Sequence, residues 1–151
     1  MATTIEQTDG GSGALDTLVG YHLRRVYGIF GSDFAEAMEG TGLRQVLFGI
    51  LSVVAANPGM RQGAAGEMLG IQRANMVALI NELVAADLID RQVAEDDRRA
   101  FALTVTPAGK VAMAEALRRI RAHEDRLLAD LNHDERRTLI GLLERIERTR
   151  S

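Results

Sequence analysis

The segment EDDRRAFALTVTPAGK, Glu95 to Lys110, sets three acids against two arginines and then turns into an alternating, β-prone run. Phe101, Leu103 and Val105 alternate with Ala100, Ala102 and Thr104, the period of a half-buried strand. Thr106 is a good N-cap type and Pro107 the favoured first helical residue, so a helix is expected directly after the strand. Just upstream, LIDRQV (Leu88 to Val93) offers a partner strand. Together they predict a two-stranded hairpin whose apex is AEDDRR, a charged tip held out by a strand on each side.

Upstream of the hairpin, Arg61 to Ile89 reads as two helices joined by a tight turn at Gly70, where a positive φ is readily tolerated. Ala64, Ala65 and Gly66 keep the first helix thin enough for a close crossing, with Met68 and Leu69 facing inward. Met76, Leu79, Ile80, Leu83 and Val84 form the buried stripe of the second. A short helix, a glycine turn and a longer helix make a helix-turn-helix, although an ordinary helical hairpin in a bundle has the same pattern. The charged hairpin then reads as a wing beside it.

The flanks are helical. From Leu15, the positions Leu18, His22, Val26 and Ile29 make one apolar stripe, and Val19, Leu23, Tyr27 and Phe30 a second beside it. A helix apolar over so much of its girth needs two partners, its own domain and another subunit. Gly40 and Gly42 interrupt it. The series Leu43, Val46, Leu47, Ile50, Leu51 and Val54 predicts an amphipathic helix closed by Asn57-Pro58-Gly59. After the wing, Val111, Ala114, Leu117, Leu127, Leu128 and Leu131 are expected to line one long helix. Asn132 and Glu135 have the residue types of a capping box, and Leu139, Leu142, Leu143 and Ile146 carry a last stripe. The expected organisation is a disordered, glycine-rich leader (1–13), dimerisation helices (14–40 and 111–151) and a winged helix-turn-helix (43–110) in a mainly α chain.

Composition narrows the function classes. The 151 residues suit one domain, and 46% hydrophobic residues with two prolines suit a helix-rich fold. With no cysteine, disulfides, thiolate nucleophiles and cysteine-based zinc sites are excluded. His22, His123 and His133 are scattered and none has an i, i+4 partner, so no metal or other cofactor is expected. No Ser-His-Asp set or phosphate-binding loop is visible, which argues against an enzyme. The apolar runs are too short to span a bilayer and the N-terminus has no signal pattern, so the expected location is cytoplasmic, without membrane association. The net charge of −3 neither favours nor excludes nucleic acid, because a local basic surface decides that.

The order of these elements, with the DRR of Asp97 to Arg99 and LTVTPAGK (Leu103 to Lys110), resembles the MarR family of winged-helix transcription regulators, over about Leu15 to Ile146. The resemblance implies a homodimer whose terminal helices associate. Each subunit would place a recognition helix in a major groove of a palindromic operator and its wing against the adjacent minor groove. This chain departs from the family pattern in having Asp87 where glycine is usual before the first wing strand. It also has Gln72-Arg73-Ala74-Asn75 in place of a Ser/Thr-rich helix start, and Ala78 where a basic residue is common.

On this reading Gln72, Arg73 and Asn75 meet base edges, since Gln and Asn bond bidentately to adenine and Arg to guanine, while Ala74, Ala78 and Asn81 occupy the same outward side. Arg98 and Arg99 enter the minor groove, with Asp97 holding one guanidinium in place. Arg61 and Gln62, at the start of the first helix of the pair, meet phosphate. From Arg61 to Lys110 six basic residues stand against seven acidic ones, 6 − 7 = −1, so the arginines have to be sorted onto one face and non-specific affinity is expected to be weak.

Regulators of this family commonly respond to small aromatic acids. Tyr21, His22, Arg24 and Arg25, with Phe34, Met38 and Phe48, are matching material: apolar side chains for a ring and a cation for the anion. Each also has a plainer reading as core or interface. The expected function is a DNA-binding repressor released by an aromatic or phenolic acid or its thioester. The alternative is a winged-helix module for protein contact without DNA binding.

Overall fold

A 3-10 turn, Gly13–Thr17, leads through an extended Leu18 into α1 (Val19–Ala37). The computed structural model describes residues 11–150, so residues 1–10 of the expected leader lie outside the described residues, while Gly13 already belongs to the 3-10 turn. Helix α1 starts later than the stripe from Leu15 predicts, because Gly13 takes a positive φ of 63° and Leu18 is extended at φ −96°. Positive-φ glycines at Gly40 and Gly42 turn the chain into α2 (Gln45–Ala56), whose Leu47, Ile50, Leu51 and Val54 are buried.

After α2 the chain bends at Gly59 (φ 81°), whose N–H donates to the Leu103 carbonyl at 2.8 Å. This bond starts a strand absent from the sequence reading. Strand β1 (Met60–Arg61) pairs antiparallel with β3 (Asp97–Val105), setting Met60 opposite Leu103 and Arg61 opposite Ala102. Strand β2 (Ile89–Ala94) flanks the other side of β3, so the sheet order is β1-β3-β2 and the expected two-stranded wing is joined at its base by a third, short strand.

Between β1 and β2 lie α3 (Gln62–Leu69) and α4 (Arg73–Ala85). Gly70 ends α3 in the left-handed conformation at φ 65°, and the Ile71 N–H returns to the Gly66 carbonyl at 2.8 Å. A Cβ at Gly66 would press to 3.2 Å from the Ile71 carbonyl oxygen and 3.5 Å from Met76 Cγ, so the crossing needs the bare backbone. The inward arc of α3 is Ala65, Gly66 and Leu69. Met68, expected inside, points outward at 63% exposure, because the short helix is rolled to bring its small residues against α4.

Met76, Ile80 and Leu83 of α4 share one core with the buried residues of α2, and Ile89, Leu103 and Ala116 complete it. Each such large side chain taken from water stabilises by about 1.5 to 3 kcal/mol. Thr106 Oγ1 accepts the Gly109 N–H at 2.9 Å and so caps α5 (Pro107–Leu127), with Pro107 in the first turn as predicted. That cap fixes the helix's rotation. Gly109, Ala112, Met113, Ala116, Ile120 and His123 turn inward, whereas Val111 and Ala114, expected to line the helix, are exposed. Asn132 and Glu135 form the full capping box of α6 (His133–Glu147).

Along α1 and α6 the chain leaves large apolar side chains uncovered, among them Val19, Leu23, Val26 and Ile29 on α1 and Leu139, Leu142 and Ile146 on α6. Val19 and Leu23 share one open groove with those three α6 residues. No helix among the described residues is long and apolar enough to cross a membrane.

Candidate nucleic-acid interface

The start of α4 is the first part of the site. Gln72 is its N-cap by backbone, but its side chain makes no capping bond, and Gln72, Arg73, Ala74 and Asn75 are all exposed. With Met76, Ile80 and Leu83 in the core, Ala78 and Asn81 also lie on the outer side. Asn81 is not free there: its Oδ1 accepts from Arg91 Nη1 of β2 at 2.7 Å, and the same guanidinium lies over the Phe101 ring, 4.8 Å from its centroid. Arg91 therefore ties α4 to both strands of the wing.

The wing is the second part. In the β2–β3 ladder Val93 faces Phe101 but Ala94 faces Asp97, so Arg98, Arg99 and Ala100 of β3 have no opposite number. Such a bulge re-aims the side chains it carries. The guanidinium groups of Arg98 and Arg99 make no hydrogen bond or ion pair among the described residues.

Asp97 does not hold either of them, contrary to the expectation from sequence. Its Oδ1 accepts the backbone N–H of Arg99 at 2.9 Å, closing the tip, and its Oδ2 faces Arg61 Nη1 at 3.9 Å. Arg61, expected to be available for phosphate, is engaged by the wing: its Nη2 donates to Asp96 Oδ2 at 2.6 Å. The geometry explains the choice, since Arg61 sits on β1 opposite Ala102 and reaches along the sheet to the hairpin turn, whereas Arg98 and Arg99 leave it at the bulge.

The two parts meet in one concave surface of about 640 Å³, where Arg61 of β1, Gln62 of α3, Arg73 and Val77 of α4, and Arg99 and Phe101 of the wing come together. Val77 and Phe101 were missed as site residues. Val77 lies one position past the buried Met76 and is 41% exposed, an apolar surface that the core stripe does not account for.

The effector-site residues read from sequence divide into two groups. Tyr21, His22 and Arg25 cluster near the start of α1. The Tyr21 hydroxyl is 3.2 Å from Ser12 Oγ and accepts from Arg25 Nη1 at 3.5 Å; the Ser12 bond, followed by the charge of Arg25, lowers its pKa. His22 Nε2 donates to the Asp16 carbonyl at 2.8 Å. Met38 is buried in the core, with Phe34 and Phe48 packed against that core. About 25 Å of helix separates Tyr21 from Met38 at 1.5 Å per residue, so one chain does not gather the two groups into one pocket.

The joint between α1 and α5 holds a group that sequence reading left unplaced. His123 is 1% exposed, neither ring nitrogen has a hydrogen-bond partner among the described residues, Phe30 meets it edge-on at 5.8 Å, and Asp33 Oδ2 is 3.8 Å from Nδ1. The charged run RRIRAHEDR masked it, although its spacing from Ala116 and Ile120 places it on the buried face.

Comparison with known proteins agrees with this geometry. A MarR family model matches residues 42–100. The chain is 35% identical over 137 residues to a Thauera aromatica protein named as a transcriptional regulatory protein for the hcr operon, covering 90% of this chain and 82% of that one. Among solved structures, the transcriptional repressor CouR bound to a 23-mer DNA duplex superposes with a TM-score of 0.84 at 33% identity, over 91% of this chain and 97% of that one. CouR bound to p-coumaroyl-CoA gives 0.76 at 32% identity, over 93% and 99%. The chain belongs to the MarR family of transcription regulators.

Proposed function

We propose that the chain is a homodimeric, sequence-specific repressor that leaves its operator when it binds an aromatic acid or the coenzyme A thioester of one. The observation that carries the DNA part is the shared concave surface: the bulged wing and the uncapped start of α4 put Arg73 and Arg99 on one face, although the lobe as a whole is not basic. The uncovered apolar faces of α1 and α6 support the dimer, since a second copy buries them and sets two recognition helices one helical turn of DNA apart, about 34 Å.

The effector reading draws on the CouR complex with p-coumaroyl-CoA and on His123, buried at the joint between α1 and α5 with no hydrogen-bond partner among the described residues. A polar effector atom supplies the partner that a buried ring nitrogen lacks. The ligand then favours a dimer whose recognition helices are wrongly spaced, and a coupling of about 1 to 3 kcal/mol gives about 5- to 150-fold release.

Selection of bound sequences from random duplex DNA is expected to return an inverted repeat. A mobility-shift assay on that repeat is then expected to show release by one of a panel of aromatic acids and acyl thioesters. No enriched sequence overturns the DNA reading, and enrichment without release by any compound overturns the effector reading alone.

A further inference from the structure

Arg61 lines the concave surface, and it is already occupied. Its Nη2 donates to Asp96 Oδ2 at 2.6 Å, with Asp97 Oδ2 at 3.9 Å from Nη1. Asp96 lies in the turn between β2 and β3, and its carboxylate bonds only Arg61 among the described residues. The carboxylate of Asp97 is divided between Arg61 and the Arg99 N–H, so Asp97 also shapes the tip. Asp96 has no such second task.

The side chains of Arg61 and Asp96 are 49% and 71% exposed, so water and incoming anions reach both. An exposed pair of this kind exchanges readily. A phosphate group, with two free oxygens, offers the guanidinium the same hydrogen-bonding fork as a carboxylate.

We propose that Asp96 is a specificity-determining residue: it stands in for a DNA phosphate on Arg61 and keeps that cation out of non-specific binding. This rests on the reading that the concave surface binds duplex DNA. Non-specific affinity comes almost entirely from cations that replace condensed counterions on the phosphates. A cation neutralised by its own protein contributes little to that exchange, and releasing it leaves Asp96 beside the phosphate. On an operator, base contacts from α4 hold the duplex in register and carry the exchange; on random DNA nothing does. The latch therefore lowers random-sequence binding more than operator binding, in a lobe with only six basic residues against seven acidic ones.

The test is salt-dependent fluorescence anisotropy on the selected operator and on a random duplex, with wild type, Asp96→Asn, Arg61→Gln, the double variant and Asp130→Asn. Asp130 is exposed in the turn between α5 and α6, far along the chain from the wing, and supplies the same charge change. Asp96→Asn is expected to tighten random-duplex binding by about three- to tenfold and to steepen the log–log salt slope by about 1 for each Arg61 freed. Operator affinity should rise less, so the ratio of the two falls, and the double variant should lose the gain.

Weaker binding by Asp96→Asn, an unchanged slope, a gain that persists in the double variant, or an equal gain in Asp130→Asn each overturns the proposal. If wild type and every variant bind neither duplex at low salt, the DNA reading fails first and the proposal goes with it.

Discussion

A Cβ on Gly109 would sit 2.1 Å from the carbonyl oxygen of Leu88 and 2.7 Å from Val105 Cγ1. The same carbonyl accepts the Thr106 N–H at 3.1 Å, so the first turn of α5 lies directly on the chain entering β2. The glycine of the TPAGK segment is thus a packing requirement. Gly109→Ala is expected to destabilise the protein by about 3 kcal/mol, at the upper end of overpacking costs. Urea unfolding should show a lower midpoint with an unchanged slope.

Asp87 occupies the neighbouring turn at φ 58°, a left-handed conformation that glycine adopts freely and most side chains resist. Its carbonyl receives the Thr106 hydroxyl at 2.5 Å, so the turn keeps its geometry without glycine. Asp87→Ala should be about 1 kcal/mol less stable than Asp87→Gly, because alanine carries a Cβ that is strained in this region and glycine has none. Equal unfolding midpoints for the two variants would show that the backbone relaxes there.

Much of the fold was legible because single residue types enforce it locally. Thr106-Pro107, Gly70 and the Asn132/Glu135 box each specify their caps through bonds to neighbours in sequence. Strand β1 was not legible, since two residues carry no alternation and Met60–Arg61 pairs only because β3 is already in place. The site divides the same way. Exposure of Gln72, Arg73 and Asn75 follows from the stripe opposite them, whereas the choice of Asp96 by Arg61 depends on a hydrogen bond across 35 positions that no local pattern encodes.

The role in DNA affinity proposed for the wing rests on Arg98 and Arg99, which the bulge leaves without an opposite residue on β2. Replacing both with alanine should weaken operator binding by about tenfold or more and flatten the salt slope by about 0.9 for each phosphate that the wing no longer neutralises. A winged module devoted to protein recognition would show no measurable DNA affinity in either form.

Arg91 has a different signature. It holds Asn81 of α4 and stacks on Phe101, so it positions α4 against the wing. Arg91→Lys keeps the charge and removes the planar stack, an interaction worth about 0.5 to 1 kcal/mol at exposed sites. Operator affinity should fall by about two- to fivefold with the salt slope unchanged. A flattened slope would instead mean that Arg91 neutralises a phosphate.

Glu115 carries a pH dependence whose direction the geometry fixes. Its carboxylate accepts from Arg118 at 2.8 and 2.9 Å and from Arg119 Nε at 2.9 Å, while Arg119 Nη1 donates to the Glu39 carbonyl, just past the end of α1, at 3.0 Å. The Arg118 bonds first, then that from Arg119, hold its pKa down from 4.5 to about 2. A carboxyl group whose folded pKa lies below its unfolded one contributes stability in full above the unfolded value, and this is lost as pH falls toward the folded one. Glu115→Gln should therefore be less stable than the parent by a constant margin at neutral pH. The margin should close between about pH 4.5 and about pH 2, as the parent takes up its proton and the Arg119 brace between α5 and α1 slackens. Unfolding midpoints at a series of pH values check this, and a margin that survives at the acid end would assign the loss to packing and leave the ion pair without a role.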